Sequence, residues 1–483
     1  MTKLKNFYAG LSFFATSILF GQTSVATSHY PNMYENQVAN SKETREAVLT
    51  VKDQIDIAVN SVMSDPVLRN ANWGFVIYDP KTKKVINSYN ESSSLIPAST
   101  TKLLTTETAV ALLGMKYTWQ TQLEYSGNID DSGTLNGNLY IVGSGDPSLG
   151  TGKAGAMRYS ELINDFKYEI ASKGIKRITG DIVIQTAVFK NNKREELPAN
   201  IVWMEHGSYY LPVGSTADVN PRNEQLTAKK SNPFDDKKRY FYISPWSKKM
   251  VFSDTFEGKV LASKLPDPPA YLANNLRTTL IKSGIGVSGK VISKVLDPNP
   301  EIRTTISTYK SPTLKDIVYD TNQRSDNANA EALLRMVGFQ KDGDQTLESG
   351  RKVIREHLES INFDTNGLSI FDGSGLSRSN MVTPIAQVKF LTKLMNEPYF
   401  KDYFESLPIG GQTGTLKKSF QGNGYGQVFA KTGTLNRVKT LAGYIKTRSG
   451  KLLPFSLMVN NYTGSVDQVK ARMERILDPA VDL

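Results

Sequence analysis

The order of helix and strand patterns along the chain is the feature that most limits its fold. Near the beginning, a helix pattern over 41–63 precedes a strand pair at 73–90. Near the end, three strand-like segments between 426 and 460 precede a helix pattern over 465–477. Apolar residues recur at helical spacing in the helix patterns, and β-branched and aromatic residues fill the strands. The two ends together predict one α/β domain that the middle of the chain interrupts.

The middle region, about residues 120–305, consists of short alternating strands separated by Gly, Asn and Asp turns. Within it, segment 161–184 resembles segment 271–292. Each segment predicts a helix, a Gly-Ile turn and a strand that Gly180 or Gly289 opens. Two such units around a Pro-, Lys- and aromatic-rich stretch predict one small domain that carries a further insert.

Two boundary signals refine the first part of the chain. Ser41 precedes the first apolar helix pattern and is predicted to cap that helix. The tetrapeptide Asp79-Pro80-Lys81-Thr82 separates the two strands that follow, and its residue types favour a turn. We therefore expect a capped helix followed by a β-hairpin.

The N-terminus has the pattern of an export signal. Lys3 and Lys5 supply a positive start, a roughly 14-residue apolar stretch follows, and Gly21 or Ala26 offers a small-residue cleavage site. This stretch is shorter than the about 20 residues of a membrane-spanning helix. We expect a signal peptide over 1–26, a linker over 27–41 and a mature protein that is soluble in a bacterial periplasm.

Composition excludes several classes of chemistry. The chain has no cysteine, which excludes thiol nucleophiles, disulfides and thiolate metal sites and fits a bacterial envelope compartment. No metal-ligand spacing such as His-Glu-x-x-His occurs, so no metal or cofactor is implied. For an exported protein, the net charge of +11 favours anionic envelope polymers or lipid surfaces over nucleic acid as partners. A generic solubilising surface is the alternative.

The stretch at 96–114 contains a Ser-x-x-Lys pair ahead of an apolar helix pattern. Ser99 and Lys102 are three positions apart, so they are neighbours if a helix begins near Ser99. Serine becomes a nucleophile when a base takes its proton, and a lysine can be that base when burial keeps it neutral. The alternative is that Ser99 caps the helix and Lys102 lies on its surface.

A second polar group, Ser325-Asp326-Asn327, precedes an apolar helix pattern that begins near Ala330. The Ser325 hydroxyl could relay a proton, and the Asn327 amide could orient a peptide. The alternative is that this segment only caps the following helix.

A third group, Lys431-Thr432-Gly433, lies within a predicted strand. A glycine inside a strand often marks the close approach of another backbone, and a peptide that adds along the strand edge would need such room. The alternative is a turn or bulge glycine. The order Ser-x-x-Lys, Ser-Asp-Asn, Lys-Thr-Gly is characteristic of penicillin-recognising serine enzymes.

Other catalytic patterns have less support. No Gly-x-Ser-x-Gly occurs, and the three histidines, His29, His206 and His357, are far from these motifs in sequence. A Ser-His-Asp triad is not excluded by that distance, but no motif supports one. The Gly-Ser-Gly-Asp-Pro-Ser segment at 143–148 predicts a turn rather than a dinucleotide site.

From about residue 45 to its end, the chain resembles the D-alanyl-D-alanine carboxypeptidase/endopeptidase family, the low-molecular-mass class C penicillin-binding proteins. The similar segments are LLGMKYTWQTQL (112–123), GSGDPSL (143–149), GDIVIQTAVF (180–189), DGSGLSRSNMVTP (372–384) and LPIGGQTGTL (407–416). The resemblance implies an α/β (α+β) fold: a penicillin-binding transpeptidase-like domain, with an antiparallel sheet flanked by helices, that two small inserted domains interrupt. The expected ranges are 42–122 and 306–483 for the peptidase domain, 123–192 and 263–305 for the first insert, and 193–262 for the second.

The resemblance also implies roles for the motif residues. Ser99 would attack the carbonyl between two D-alanines of a peptidoglycan stem peptide and form an acyl-enzyme, and Lys102 would accept its proton. Ser325 would pass a proton to the leaving amine, and Asn327 would hold Lys102 or the substrate amide. Lys431 would keep Lys102 neutral and attract the terminal carboxylate of the substrate.

On the strand, Thr432, Gly433 and Thr434 are the expected substrate-binding residues, and the two threonine hydroxyls would bind the substrate carboxylate. The backbone N–H groups of Ser99 and Thr434 would form the oxyanion hole. β-Lactam antibiotics are expected to act as covalent inhibitors.

One position departs from the family pattern. After the strand GDIVI, relatives often carry an Asp that contacts the diamino acid of the stem peptide, whereas this chain has Gln185.

Two alternative functions remain: a β-lactamase, although no Glu-x-x-Leu-Asn loop is present, and a non-catalytic peptidoglycan-binding or sensor protein.

Overall fold

The computed structural model describes residues 49–186, 268–295, 301–343 and 346–483, and the backbone of five short strands between 201 and 252. The predicted signal peptide and linker lie outside the described residues. So does most of the predicted second insert, 193–262, apart from the backbone of these strands.

The helices in these ranges are α1 (Val51–Met63), α2 (Thr101–Leu113), α3 (Tyr159–Ser172), α4 (Pro268–Lys282), α5 (Leu314–Arg324), α6 (Asn327–Asp342), α7 (Leu347–Ser360), α8 (Pro384–Leu394), α9 (Phe400–Glu405) and α10 (Val466–Leu477). The strands are β1 (Asn72–Asp79), β2 (Lys84–Tyr89), β3 (Gln120–Tyr125), β4 (Asn128–Ile129), β5 (Thr134–Asn136), β6 (Leu139–Gly143), β7 (Arg177–Ile178), β8 (Ile182–Thr186), β9 (Ile201–Met204), β10 (Tyr209–Pro212), β11 (Thr227–Lys229), β12 (Phe241–Ser244), β13 (Lys249–Phe252), β14 (Gly286–Val287), β15 (Val291–Val295), β16 (Thr304–Lys310), β17 (Val428–Leu435), β18 (Val438–Lys446) and β19 (Leu452–Asn460). Of the helices in the described ranges, none has both the length and the apolar character needed to cross a membrane.

The main sheet joins the two ends of the chain. Its strand order is β17-β18-β19-β1-β2, and all neighbouring pairs are antiparallel. The N-terminal hairpin turns at Asp79, whose carboxylate accepts hydrogen bonds from the backbone N–H of Lys81 and Thr82. The predicted α/β class with an antiparallel sheet is confirmed, and β17, which carries the Lys-Thr-Gly motif, lies at the sheet edge.

The predicted start of the first helix is wrong. Helix α1 begins at Val51, and Thr50 is its N-cap. The Thr50 hydroxyl accepts a hydrogen bond from Asp53 N–H, and the Asp53 carboxylate accepts one from Thr50 N–H. This reciprocal capping box satisfies two backbone donors, so the helix starts there rather than after Ser41, which lies outside the described residues.

Two hydrophobic cores cover the two faces of the main sheet. On one face, α1 and α10 pack against sheet residues such as Phe75 and Leu457. On the other, α2, α5, α6, α7 and α8 pack against Ala442 and Tyr444. Burying one large apolar side chain contributes about 1.5–3 kcal/mol, so these cores hold α2 firmly against the sheet.

Helix α2 is more deeply buried than its sequence predicted. Every residue from Thr101 to Val110 is buried, including Lys102 and Glu107. The sequence predicted an apolar helix pattern and left open whether Lys102 lies on its surface, but α2 lies in the interior, where its polar side chains bond to neighbouring elements.

The middle region forms a second sheet with its own core. Strands in the order β15-β8-β6-β3-β16 pack against α3 and α4. The predicted repeat is confirmed, because β7 pairs in parallel with β14 and β8 pairs in parallel with β15. Gly180 and Gly289 are adjacent: a Cβ atom added at Gly289 would clash with the Gly180 backbone. The exact domain boundaries stay a prediction.

Candidate active site

Ser99 lies in a tight turn that leads into α2. Residues Ala98–Thr100 form one 3₁₀ turn, and Thr100, the residue before α2, makes no side-chain capping bond. Ala98 is fully buried with a φ of +46°, a backbone conformation that is strained for a non-glycine residue. Such strain is often found at functional sites, and the capping role considered for Ser99 is not seen.

Lys102 contacts Ser99 directly. Its Nζ atom lies 3.0 Å from Ser99 Oγ, 2.8 Å from Asn327 Oδ1 and 2.6 Å from the Ser374 carbonyl oxygen. The lysine side chain is fully buried, so the alternative of a surface lysine is wrong. The three partners are neutral oxygens, and none supplies a full negative charge.

Burial lowers the pKa of Lys102 to about 8, because the interior disfavours the charged ammonium. The carboxylates of Glu331, Asp372 and Asp326 act in the opposite direction. The structure thus assigns the decrease to burial, and the predicted contribution of Lys431 to a neutral Lys102 stays a prediction.

The Ser-Asp-Asn segment divides its functions between its residues. Ser325 ends α5 in the left-handed conformation, with φ of 59° and ψ of 40°. Asp326 is the N-cap of α6 and accepts a hydrogen bond from Asn329 N–H at 3.0 Å. Asn327 directs its Oδ1 to Lys102. The segment therefore does cap α6, but through Asp326. The Ser325 and Asn327 side chains instead contact the two lysines of the site.

Lys431 extends from β17 to Ser325. Its Nζ atom donates to Ser325 Oγ at 2.8 Å and to the Thr432 carbonyl at 2.8 Å. Burial, together with the positive charges of Lys102 and Lys439, holds the pKa of Lys431 well below its ordinary value. The three sequence motifs therefore meet as two lysine–serine pairs.

Gly433 allows β17 to approach the Ser99 turn. A Cβ atom at this position would lie 2.7 Å from the Pro97 carbonyl oxygen and 2.9 Å from Ser99 N, and would clash with Thr440 Oγ1. The predicted close approach of a backbone is confirmed, although the approaching backbone is the chain's own turn. Approach of a substrate along the strand edge stays a prediction.

The two threonines of β17 each have a hydroxyl or ammonium partner. Thr432 Oγ1 lies 2.8 Å from Thr415 Oγ1, and Thr434 Oγ1 accepts a hydrogen bond from Lys439 Nζ at 2.7 Å. Thr432 is buried, whereas Thr434 is exposed. All eight residues predicted for the site thus lie on the Ser99 turn and α2, the α5–α6 junction and β17.

Sequence reasoning missed the loop that follows α7. The carboxylate of Glu331, on α6, accepts hydrogen bonds from the backbone N–H groups of Gly373 and Ser374 in this loop. The Asp372 carboxylate accepts hydrogen bonds from the backbone N–H groups of Gly375 and Ser377. These bonds aim the Ser374 carbonyl at Lys102. The available signals were the turn-forming Asp-Gly-Ser-Gly pattern and the family resemblance of segment 372–384, and neither predicted a contact with Lys102.

A second missed contact links the middle region to the site. Lys153 Nζ lies 2.5 Å from Asp326 Oδ2. Although burial acts to raise the pKa of Asp326, the Lys153 hydrogen bond and charge and the backbone N–H of Asn329 lower it overall. Asp326 is therefore a charged N-cap with a lysine partner from a distant segment.

Two other predicted positions lie elsewhere. His357 Nε2 contacts Glu107 Oε2 at 2.9 Å rather than Ser99, and His29 and His206 lie outside the described residues. Gln185 is buried, and its Oε1 accepts a hydrogen bond from Arg303 at 2.6 Å. Its predicted effect on recognition of a diamino acid stays a prediction.

The donor set at the site consists of hydroxyl, amide and lysine groups. Across the described residues, no group of three or more histidine and carboxylate side chains is placed to hold a metal ion. The arrangement suits nucleophilic catalysis by a serine with a lysine base.

Comparison with known proteins is consistent with this geometry. A D-alanyl-D-alanine carboxypeptidase of Actinomadura sp. (strain R39) is 26% identical over 445 residues, covering 84% of this chain and 81% of the relative. D-alanyl-D-alanine carboxypeptidase DacB of Haemophilus influenzae is 26% identical over 453 residues, covering 85% and 90%. The crystal structure of penicillin-binding protein 4 from Haemophilus influenzae, in complex with a β-lactam, superposes with a TM-score of 0.65 at 24% identity, covering 88% of this chain and 99% of that one.

The family assignment rests on a match across most of the chain. The model of the D-Ala-D-Ala carboxypeptidase 3 (S13) family matches residues 55–237 and 252–478. This match confirms the family, fold class and enzyme class that the sequence predicted. The chain belongs to the D-Ala-D-Ala carboxypeptidase 3 (S13) family and is a serine-type peptidase.

Proposed function

We propose that this protein is a D-Ala-D-Ala carboxypeptidase, a D,D-endopeptidase or both, and that it cleaves peptidoglycan stem peptides through an acyl-enzyme on Ser99. The family match and the carboxypeptidase relatives support the reaction class. The contacts of Lys102 support the assignment of nucleophile and base.

The hydrogen bonds of Lys102 are the observation that carries this proposal. The Asn327 side-chain oxygen and the Ser374 carbonyl can only accept hydrogen bonds. A neutral lysine has two N–H groups, which these two oxygens would engage, and one lone pair. The remaining partner, Ser99, has a hydroxyl that can also donate. Loss of one proton from Lys102 would therefore leave its lone pair directed at Ser99.

The acylation step follows from this arrangement. As Ser99 Oγ bonds to the substrate carbonyl carbon, its proton moves to the Lys102 lone pair. The C–N bond to the leaving D-alanine then breaks, and the amine takes a proton from the Ser325 hydroxyl. The proton that Lys102 accepted from Ser99 then replaces the one that Ser325 gave up. Because Ser325 Oγ accepts a hydrogen bond from Lys431, its own proton is free for transfer. Hydrolysis of the ester by water regenerates Ser99.

Substrate binding is proposed along the edge of β17. The first part of this edge pairs with residues 408–410, so a peptide would align with the part around Thr432 and Thr434. Its carboxylate would then lie near the two threonine hydroxyls and the positive charge of Lys431. The N–H groups of Ser99 and Thr434 would stabilise the oxyanion. The 2.9 Å separation between Ser99 N and a Cβ built on Gly433 supports this pairing of turn and strand.

We further propose that β-lactams acylate Ser99 and that the protein acts in the bacterial periplasm. A penicillin-binding relative of the same fold has been solved with a β-lactam. The positive start and short apolar stretch of the N-terminus support export. The separate core of the middle region supports an inserted domain between the parts of the peptidase domain.

Covalent labelling tests the nucleophile. Fluorescent penicillin is expected to label the purified protein and the exposed-serine control Ser92→Ala, but not Ser99→Ala. Absence of label on folded wild-type protein, or label retained in Ser99→Ala, would contradict the proposal.

Product analysis tests the reaction. Incubation with purified muropeptides and mass spectrometry should show loss of a terminal D-alanine from monomers, cleavage of cross-linked dimers, or both. No change in either substrate would argue against the peptidase and favour a binding protein. Rapid multiple turnover of nitrocefin, instead of slow stoichiometric reaction, would favour a β-lactamase.

A further inference from the structure

Lys439 is a buried cation that the proposed reaction does not use. It lies on β18 directly across from Thr434 on β17, with only 9% of its surface exposed. Its Nζ atom donates to Thr434 Oγ1 at 2.7 Å. The nearby charged side chains are Lys431 on β17 and Lys470 and Asp467 on α10, and the last two are paired with each other at 3.4 Å. Lys439 thus brings positive charge to the strand without a carboxylate partner of its own in the described part of the chain.

The chemistry of this contact determines the direction of the Thr434 hydroxyl. A lysine ammonium has only donors, so the Thr434 oxygen must accept its hydrogen bond. The hydroxyl proton must then point elsewhere. Thr434 is exposed, so its proton is available to a ligand beside β17. A hydroxyl that accepts from a cation is also a stronger donor to an anion.

We propose that Lys439 is a positioning residue that makes the site select ligands with a free carboxylate, by orienting the Thr434 hydroxyl as a donor and adding a buried positive charge behind it. This inference rests on the proposed function, because it specifies how the same site recognises the substrate terminus. Burial lowers the pKa of Lys439 to about 8, with Lys470 acting in the same direction, so the ammonium is still mostly protonated at neutral pH.

A paired-ligand experiment isolates this role. The second-order rate constant for acylation is measured with benzylpenicillin, which has a carboxylate, and with its methyl ester, which does not. In wild-type protein the carboxylate form should react faster. We expect Lys439→Met to reduce the ratio of the two rate constants by about tenfold or more, the size expected for loss of a charge-assisted hydrogen bond.

Control variants separate selectivity from folding. Lys439→Arg should retain the ratio, as should Lys446→Met, which removes an exposed lysine at the end of the same strand. Both ligands react with the same sample, so a smaller folded fraction cancels in the ratio. If Lys439→Met does not fold, Thr434→Val keeps the lysine, removes the hydroxyl and should reduce the ratio similarly.

The outcomes distinguish this inference from the proposed function. A ratio that Lys439→Met leaves unchanged, or an equal loss of rate with both ligands, would overturn the role of Lys439 while the enzyme remains a penicillin-binding peptidase. Failure of wild-type protein to react with either ligand would instead overturn the proposed function.

Discussion

Lys102 Nζ lies 3.0 Å from Ser99 Oγ, and both residues belong to one continuous turn of the chain. The same nitrogen contacts Asn327 and Ser374, which come from segments more than 200 residues away in the sequence. A local pair is therefore held by distant acceptors. Because those acceptors are neutral and the lysine is buried, the pKa of Lys102 is lowered. Its protonation state then determines whether it can accept the proton of Ser99.

The rate of acylation should depend on the protonation of Lys102. Only the neutral lysine accepts a proton, so the second-order rate constant should rise with pH, with the midpoint of the rise near 8. Fluorescent penicillin carries a carboxylate, so loss of the Lys439 charge above about pH 8 should lower the rate again. At pH about 7, only about a tenth of the lysines would be neutral. Stopped-flow measurements with fluorescent penicillin give this profile.

Lys102→Arg provides the matched variant for that profile. Its guanidinium keeps a positive charge and donor groups but cannot act as a base at these pH values, so we expect a loss of about 10²–10⁴-fold. A flat pH profile in wild-type protein, or near-normal acylation of Lys102→Arg, would contradict Lys102 as the base.

Removal of the Lys153 charge should raise the pKa of Lys102. Asp326 raises the pKa of Lys102 electrostatically, and Lys153 neutralises Asp326 through their ion pair. Lys153→Met should therefore move the rising limb of the acylation profile to higher pH, and Asp326→Asn should move it to lower pH. Lys173→Met, which removes an exposed lysine at the end of α3, should leave the midpoint unchanged. A loss of rate without a shift of the midpoint would mean that the ion pair has only a structural role.

Two substitutions at Ser325 should separate its chemistry from its backbone strain. Both Ser325→Ala and Ser325→Gly remove the hydroxyl that contacts Lys431, so both should acylate about 10²–10³-fold more slowly. Glycine adopts the observed φ of 59° without strain, so Ser325→Gly should be about 1 kcal/mol more stable than Ser325→Ala. Acylation kinetics and urea unfolding measure the two effects. Equal stability of the variants would show that the left-handed conformation is not strained.

Gly433→Ala should damage both stability and catalysis. The added Cβ would press on the Pro97 carbonyl and on Ser99 N, so the turn or the strand must move. We expect a loss of about 1–3 kcal/mol in the free energy of unfolding. The acylation rate should fall by more than the loss of folded protein alone would cause. In the control Gly422→Ala, the nearest atom to an added Cβ is Asp478 Oδ2 at 3.8 Å. Normal acylation by Gly433→Ala would show that the turn tolerates displacement.

Much of the candidate site could be predicted because its motifs are local. The Ser99–Lys102 spacing, the segment ahead of α6 and the strand around Lys431 each depend on neighbours in the sequence. The start of α1 was not predicted, because Thr50 lies within an apolar pattern that also allows an earlier start. The buried environment of α2 was missed for a similar reason: its threonines resemble surface residues until their partners are known.

Other contacts could not be predicted from the sequence. The acceptor at Ser374 is a backbone carbonyl, which every residue carries, and only the loop held by Glu331 and Asp372 aims it at Lys102. The pairs Lys153–Asp326 and Lys439–Thr434 join ordinary lysines to polar residues. Such lysines are usually solvated, so their roles depend on which elements meet.

Residue types and their order along the chain were sufficient to identify the family to which the chain belongs and to predict a nucleophile and its base. They could not establish that Lys102 loses its proton near pH 8, because that property comes from burial. Burial arises when α2 is enclosed between the sheet and the surrounding helices, and the acceptors arrive from residues 327 and 374. Protonation depends on the three-dimensional dielectric surroundings of a group, and sequence patterns describe those surroundings only indirectly.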